Sequence, residues 1–280
     1  MRQGDEAAMK DGELGRIAVI GGGRMGETLA RALVASEAVT VEQVKVSGPR
    51  GARLEEAVSG TGIATTLDNR EAVQGADLIL LCVKPQTLPE VLEELAPVLS
   101  EEQVLVSIAA GVPIRFLEER LAKAVPVIRA MPNTPCLLGE GMTALCRGRH
   151  ASAADLARAQ VVFEAVGRTL ELDERYFDAV TGVSASGPAF IYMVIEAMAE
   201  AGVKVGLPRG VATELAAQTC LGAARMVIET QEHPALLKDA VTTPGGCTID
   251  GILMLEEGGL RVTLIKAIVE ATRRARELAP

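Results

Sequence analysis

The chain has 280 residues, 49% of them hydrophobic, which is enough for one large packed core or two ordinary ones and excludes a disordered protein. A formal net charge of −9 repels a phosphate backbone, and no Trp, 2 Tyr and 4 Phe leave little to stack on bases. Nucleic acid is therefore not an expected partner.

The opening MRQGDEAAMKDGELG lacks the apolar core of a secretory signal. No uninterrupted apolar run reaches the roughly 18 to 20 residues that span a bilayer. The expectation is a cytoplasmic protein with no membrane partner, and residues 1–15 read as a disordered extension with Met9 as an alternative start. Cys82, Cys136, Cys146, Cys220 and Cys247 are odd in number and never spaced as CxxC, which fits buried, reduced thiols better than a disulfide or zinc framework. With His150 and His233 the sole histidines, no protein-bound metal is expected.

From about residue 16 to 147, short β-branched runs alternate with amphipathic helical stretches: RIAVI, VKVS, GIATT, DLILLCV, QVLVSIA, VPVIRAM and MTALC. Alternation of this kind implies βαβ units and a mainly parallel, doubly wound sheet. Asp68 precedes Asn69-Arg70-Glu71 as a helix cap, and Pro113 stands where a helix begins. After about residue 170 the strand signal fades, and AFIYMVIEAMAEAGVKVG and PRGVATELAAQTCLGAARMVIETQ read as long Ala-rich helices. The fold class is thus an α/β Rossmann domain over 16–172 followed by an all-α domain over 173–280.

The nucleotide signal is IAVIGGGRMGETLARALV. Gly21, Gly23 and Gly26 fill the three glycine places of GxGxxG between a strand and a helix, where they allow a tight turn, close approach of a pyrophosphate and close helix-to-strand contact. The helix start then offers unpaired N–H groups to the phosphates. About 20 residues further on, an NAD site carries Asp or Glu for the ribose 2′-hydroxyl; here that place reads Val46-Ser47-Gly48-Pro49-Arg50. Ser47 and Arg50 suit a 2′-phosphate, so NADPH is favoured, with NADH open as the alternative. CVKPQ (82–86) and SIAAGV (107–112) stand at later strand ends, where a dinucleotide fold makes further cofactor contacts.

Hydride transfer to a ketone needs a proton-moving side chain. In the later half His233 precedes a proline in an apparent turn, Lys204, Lys238 and Lys266 lie in helical contexts, and no Lys accompanies TGVSASGPAF. A substrate already electrophilic once protonated, such as a cyclic imine, suits this sequence better. DAVTTPGGCTIDGI (239–252) supplies a place for it: Gly245 and Gly246 expose backbone N–H groups at a helix start, fit for a small carboxylate, and Thr242, Thr243 and Thr248 add hydroxyls.

With IGGGRMGETLARAL, VIRAMPNTPCLLGEGMTAL, VTGVSASGPAFIYMVIEAMAEAGVKVGLPR and LKDAVTTPGGCTIDGILMLEEGGLR, the chain resembles the pyrroline-5-carboxylate reductases from residue 16 to 278. The TPGGxT segment with its trailing LExGGLR is the most specific part. The resemblance implies reduction of 1-pyrroline-5-carboxylate to L-proline by NAD(P)H, and a homodimer with interlocked helical domains that assembles further into decamers. It places cofactor contacts at Ile20, Gly21, Gly22, Gly23, Arg24, Met25, Asn69, Cys82, Val83, Lys84 and Pro85, with Ala109, Ala110 and Gly111 near the nicotinamide. It places substrate contacts at Val241, Thr243, Gly246, Cys247 and Thr248, the Thr248 hydroxyl meeting the ring nitrogen as the catalytic contact. Some members carry Asn at the place of Ala240 and many carry Ser at those of Thr242 and Thr243, departures that preserve the two hydroxyls.

A hydroxyacid dehydrogenase of similar layout is the rival enzyme, but its catalytic Lys is missing from the GVSASGPAF region; a non-catalytic NADPH-binding sensor is the rival of another class. The 2′-phosphate reading has its own test. Arg50→Ala is expected to weaken NADPH more than NADH in a fluorescence titration, and equal losses would remove Arg50 from 2′-phosphate recognition.

Overall fold

The computed structural model describes residues 14–49 and 51–277. These divide into two compact units, one holding the chain up to Ala185 together with Ala271 onward, the other Ser186–Glu270. The strand signal alone put the boundary at 172/173, whereas the turns that follow the last strand group with the sheet. Leu14, read as part of the extension, is buried in the first unit's core, and the Arg158 guanidinium donates to its carbonyl at 3.0 Å.

The first unit runs β1 (Ile17–Ile20), α1 (Arg24–Ala35), β2 (Val44–Ser47), α2 (Gly51–Ala57), β3 (Ala64–Thr66), α3 (Asn69–Val73), β4 (Leu78–Leu81), α4 (Leu88–Leu95), β5 (Val104–Ser107), α5 (Ile114–Glu118), β6 (Val127–Met131), β7 (Gly141–Arg147), α6 (Ala153–Glu164) and β8 (Gly167–Glu171). Its sheet has the order β3-β2-β1-β4-β5-β6-β7-β8. Strands β1 to β6 are parallel, β7 runs antiparallel to β6, and β8 is parallel to β7. The chain order reverses at β1, which lies between β2 and β4, and the crevice above that reversal is where open α/β sheets bind ligands.

Period-2 alternation sends each strand's side chains to two cores. Ile17 and Val19 join Leu29 and Leu33 of α1 on one face, while Ala18 and Ile20 join Leu88 and Leu92 of α4 on the other. All eight are essentially solvent-free, and full burial of each larger aliphatic contributes about 1.5–3 kcal/mol. Asp68 caps α3 as expected, its carboxylate accepting from the N–H groups of Arg70 and Glu71.

The sequence reading missed β8. Its segment, GRTLE, is an edge strand with no fully buried residue, so Arg168, Thr169 and Glu171 leave no apolar alternation to detect.

Beyond β8 come α7 (Phe177–Val180) and one π-turn (Thr181–Ala185). Glu174, just ahead of α7, accepts with one oxygen from the buried Arg129 of β6 at 2.9 Å and from the Ile114 N–H at 2.7 Å. The Arg129 guanidinium lies 4.7 Å from the centroid of the fully buried Phe177 ring, so its charge is lodged between a carboxylate and an aromatic face.

The second unit consists of α8 (Gly187–Lys204), α9 (Arg209–Thr230), α10 (Pro234–Ala240), α11 (Cys247–Glu257) and most of α12 (Leu260–Glu277). Helices α8 and α9 approach closely because their contact is made of small residues: Ala199, Ala212 and Ala216 are its buried core, and a Cβ on Gly202 would stand 2.9 Å from the Ala212 methyl. Ile191, Met193, Leu215, Leu253 and Ile265 remain exposed in this chain, far more apolar surface than a lone helical unit ordinarily presents.

One expectation needs correction. By length and composition alone, one helical stretch among the described residues, Glu174–Lys204, is long and apolar enough to cross a membrane. The unbroken apolar runs of the sequence end at the glycines and serines of TGVSASGP, of which Thr181–Ala185 form the π-turn and Gly187 opens α8.

Glu174→Ala is expected to lower the stability of the first unit by about 3 kcal/mol in urea unfolding, because Arg129 is left buried without its counter-ion. The double variant with Arg129→Met should lose less.

Candidate functional site

The cofactor cradle is built by the turn from β1 into α1. Gly21 has φ +108°, and a Cβ there would stand 2.9 Å from the Cys82 carbonyl. Its N–H and that of Gly22 both donate to the Ser47 carbonyl, at 2.9 and 3.1 Å, while Cys82 N–H donates to the Ile20 carbonyl at 2.8 Å. The turn is thereby pinned to β2 on one side and β4 on the other. A Cβ on Gly26 would collide with the Gly21 carbonyl and one on Gly22 with the Leu54 side chain, so these two places serve packing.

Gly23 differs. Nothing lies within 4 Å of where its Cβ would be, and it is the exposed N-cap of α1 with no side-chain cap. The first-turn N–H groups of a helix have no intrahelical acceptor, so the open space above Gly23 fits a pyrophosphate held by the backbone around Arg24 and Met25. The residues present fit a dinucleotide. Arg24 itself is exposed, and Met25 packs partly into the core.

At the end of β2, Ser47 is fully buried and its hydroxyl donates to Asn69 Oδ1 at 2.7 Å. Asn69 Nδ2 in turn donates to Glu94 of α4 at 2.8 Å. The structure thus joins Ser47 and Asn69 in one hydrogen-bonded chain and adds Glu94, which sequence reasoning did not single out. Lys45 nearby is paired with Glu71, which also takes the Thr66 hydroxyl; together these two contacts hold the Glu71 carboxyl below the usual carboxylate range, Thr66 being the larger cause. Arg50 lies outside the described residues.

After β4, burial pushes the Cys82 thiol up to about 12, so it stays protonated at neutral pH and is no nucleophile. Val83 and Pro85 are half-buried and Lys84 is exposed. After β5, Ala109 is buried with its N–H on the Ser107 hydroxyl at 3.3 Å, Ala110 is exposed, and Gly111 turns with φ +75°. Beyond β6, Asn133 binds Ser184 and Met142, a contact the motif MPNTP contains but spacing alone did not reveal.

In the helical unit, the segment between α10 and α11 bends at Gly245, with φ +67°, and Gly246 N–H donates to the Thr243 carbonyl at 3.0 Å. Gly246 is the N-cap of the eleven-residue helix α11 and brings no capping side chain. The three threonine hydroxyls are not equivalent. Thr242 is committed to the Lys238 carbonyl at 2.8 Å, Thr243 lies where a Cβ on Gly246 would be, and Thr248 takes no protein partner among the described residues. Val241 and Cys247 are exposed. His233 is an N-cap whose Nδ1 accepts from the Ala235 N–H at 3.2 Å, a local structural task. No group of three or more His, Cys, Asp or Glu among the described residues is arranged to hold a metal ion.

Residues 174–278 match the pyrroline-5-carboxylate reductase dimerisation family, and residues 16–111 match the coenzyme F420-dependent NADP oxidoreductase family. The chain is 43% identical to a pyrroline-5-carboxylate reductase of Synechocystis, over 94% of this chain and 98% of that one. It belongs to the pyrroline-5-carboxylate reductase family. Among solved structures it is similar to the pyrroline-5-carboxylate reductase of Coxiella burnetii, with a TM-score of 0.90, 36% identity, and coverage of 95% of this chain and 99% of that one. The pyrroline carboxylate reductase of Plasmodium falciparum with NADP bound gives a TM-score of 0.85 and 30% identity, over 96% and 99% of the two chains. The glycine turn ahead of α1 and the segment ahead of α11 both begin a helix at a glycine that brings no capping side chain, which leaves backbone donors open to a ligand.

Gly23→Ser separates binding from folding. Serine is a good N-cap and meets no protein atom here, so the thermal midpoint should hold or rise, while calorimetry should show NADPH binding weakened by at least about tenfold.

Proposed function

We propose that this chain reduces the C=N bond of 1-pyrroline-5-carboxylate to give L-proline, with NADPH as the preferred reductant, in the cytoplasm. The observation that carries this reading is the match to pyrroline-5-carboxylate reductases at 41–43% identity over 93–94% of the chain, which includes both the glycine turn and the TPGGCT segment. The working form is a homodimer with interlocked helical domains, and dimers assemble further into decamers. The exposed apolar faces of α8, α9 and α12 and the dimerisation-family match support the dimer.

Bound NADPH supplies the hydride that adds to the imine carbon. The chain's own work is to bind and orient. Backbone donors around Gly23, Arg24 and Met25 hold the pyrophosphate, while Asn69, held by the buried Ser47, borders the adenosine end. Ile20, Gly21, Gly22 and Cys82 to Pro85 wall the crevice, and Ala109 to Gly111 border the nicotinamide. The substrate carboxylate is held by the N–H groups opened at Gly246 and Cys247, with Val241 and Thr243 closing the loop around it. The uncommitted Thr248 hydroxyl meets the ring nitrogen.

Protonation makes an imine carbon electrophilic, so no strong base need be positioned. Fixed donors and alignment then supply most of the acceleration.

Thr248→Ala should lower kcat/KM by about 10- to 1000-fold, or about 1.4–4 kcal/mol of transition-state stabilisation, with NADPH affinity nearly intact. Loss of nicotinamide absorbance in the presence of pyrroline-5-carboxylate measures it. An unchanged kcat/KM would take Thr248 out of the reaction, and no NADPH oxidation by the folded wild-type protein would overturn the function itself.

A further inference from the structure

TGVSASGPAF, conspicuous in the sequence, has no task in the cofactor or substrate assignments above. Its first residues, Thr181–Ala185, form the π-turn, a geometry that interrupts the regular helical ladder and recurs at functional sites. Within it Ser184 is met by Asn133, two residues beyond the carboxyl end of β6. Asn133 Nδ2 donates to the Ser184 carbonyl at 3.2 Å and to the Ser184 hydroxyl oxygen at 3.3 Å. The amide has one permitted orientation, because Asn133 Oδ1 accepts the Met142 backbone N–H at 2.9 Å and an inverted amide would set donor against donor. Ser184 is therefore held as an acceptor and keeps its own proton to give away, with no acceptor for it among the described hydrogen bonds.

The place of this pair narrows what it serves. Strands β5 and β6 are parallel neighbours, Ser107 standing opposite Arg129, so Asn133 and the Ala109–Gly111 turn leave the same edge of the sheet one strand apart. That edge is where α/β sheets bind their ligands. A half-buried hydroxyl with a committed acceptor and a free proton matches a carbonyl oxygen. The nicotinamide end of the cofactor carries one, in its carboxamide.

We propose that Ser184, held by Asn133, donates a hydrogen bond to the carboxamide oxygen of the bound nicotinamide, with Asn133 as its positioning residue. One such bond fixes the rotation of the ring and hence the face from which hydride leaves. The proposal rests on the NADPH reading above and deepens it.

The test compares two ligands by calorimetry, NADPH and 2′-phospho-ADP-ribose, which is the same molecule without its nicotinamide. Ser184→Ala should weaken NADPH about 3- to 10-fold, the worth of one neutral hydrogen bond, and leave 2′-phospho-ADP-ribose within about twofold. Ser184→Thr should restore NADPH affinity. Asn133→Asp gives a second route, since its carboxylate still accepts from Met142 N–H but draws the Ser184 proton to itself; it should reproduce the selective loss. Unchanged NADPH affinity in both folded variants, or equal weakening of the two ligands, would overturn the proposal. So would a rise confined to KM for the imine, which would move Ser184 to the substrate. Wild-type protein that binds neither ligand would instead refute the NADPH reading on which all of this stands.

Discussion

The structure depends on the absence of side chains at one turn. The Gly21 backbone lies against the Cys82 carbonyl and Gly26 lies against the Gly21 carbonyl, so α1 descends onto the sheet at the point where strand order reverses. Two N–H groups on the Ser47 carbonyl then lock the turn to β2. A methyl group at Gly21 or Gly26 would lift the helix and open the crevice, and the later strands could not compensate because their own helices are seated by the same sheet. Binding geometry in the first unit is thus a packing outcome.

The helical unit follows another rule. Its internal contact is made by alanines and a glycine, which lets two helices approach closely but buries little area. Ile195 and Val203 pack against the margin of that contact, while Ile191, Met193 and Leu215 of the same two helices stay exposed. Such a unit gains little stability from this one internal contact.

Most of the sheet could be read from the sequence because buried parallel strands carry runs rich in Val, Ile and Leu, as IAVI and LILL do. GRTLE escaped because an exposed edge strand is free to be polar. The glycine turn and the TPGGCT loop were visible since each demands residues that helices and strands avoid. Asn69 and Ser47 were chosen separately, but their hydrogen bond, and Glu94 behind it, join residues far apart in sequence that no spacing rule connects. Asn133 and Ser184 stayed hidden for the same reason, being 51 residues apart. The resemblance of whole segments supplied the substrate, which spacing alone had reached only as a small carboxylate-bearing imine.

The empty space beside Gly23 has a consequence for how the gene tolerates change. At Gly21 and Gly26 a substitution disturbs folding, so chaperones and proteases remove the product. At Gly23 nothing in the protein meets the new atoms. Cellular quality control would pass such a chain as sound. Purifying selection at this position can therefore act through the ligand alone.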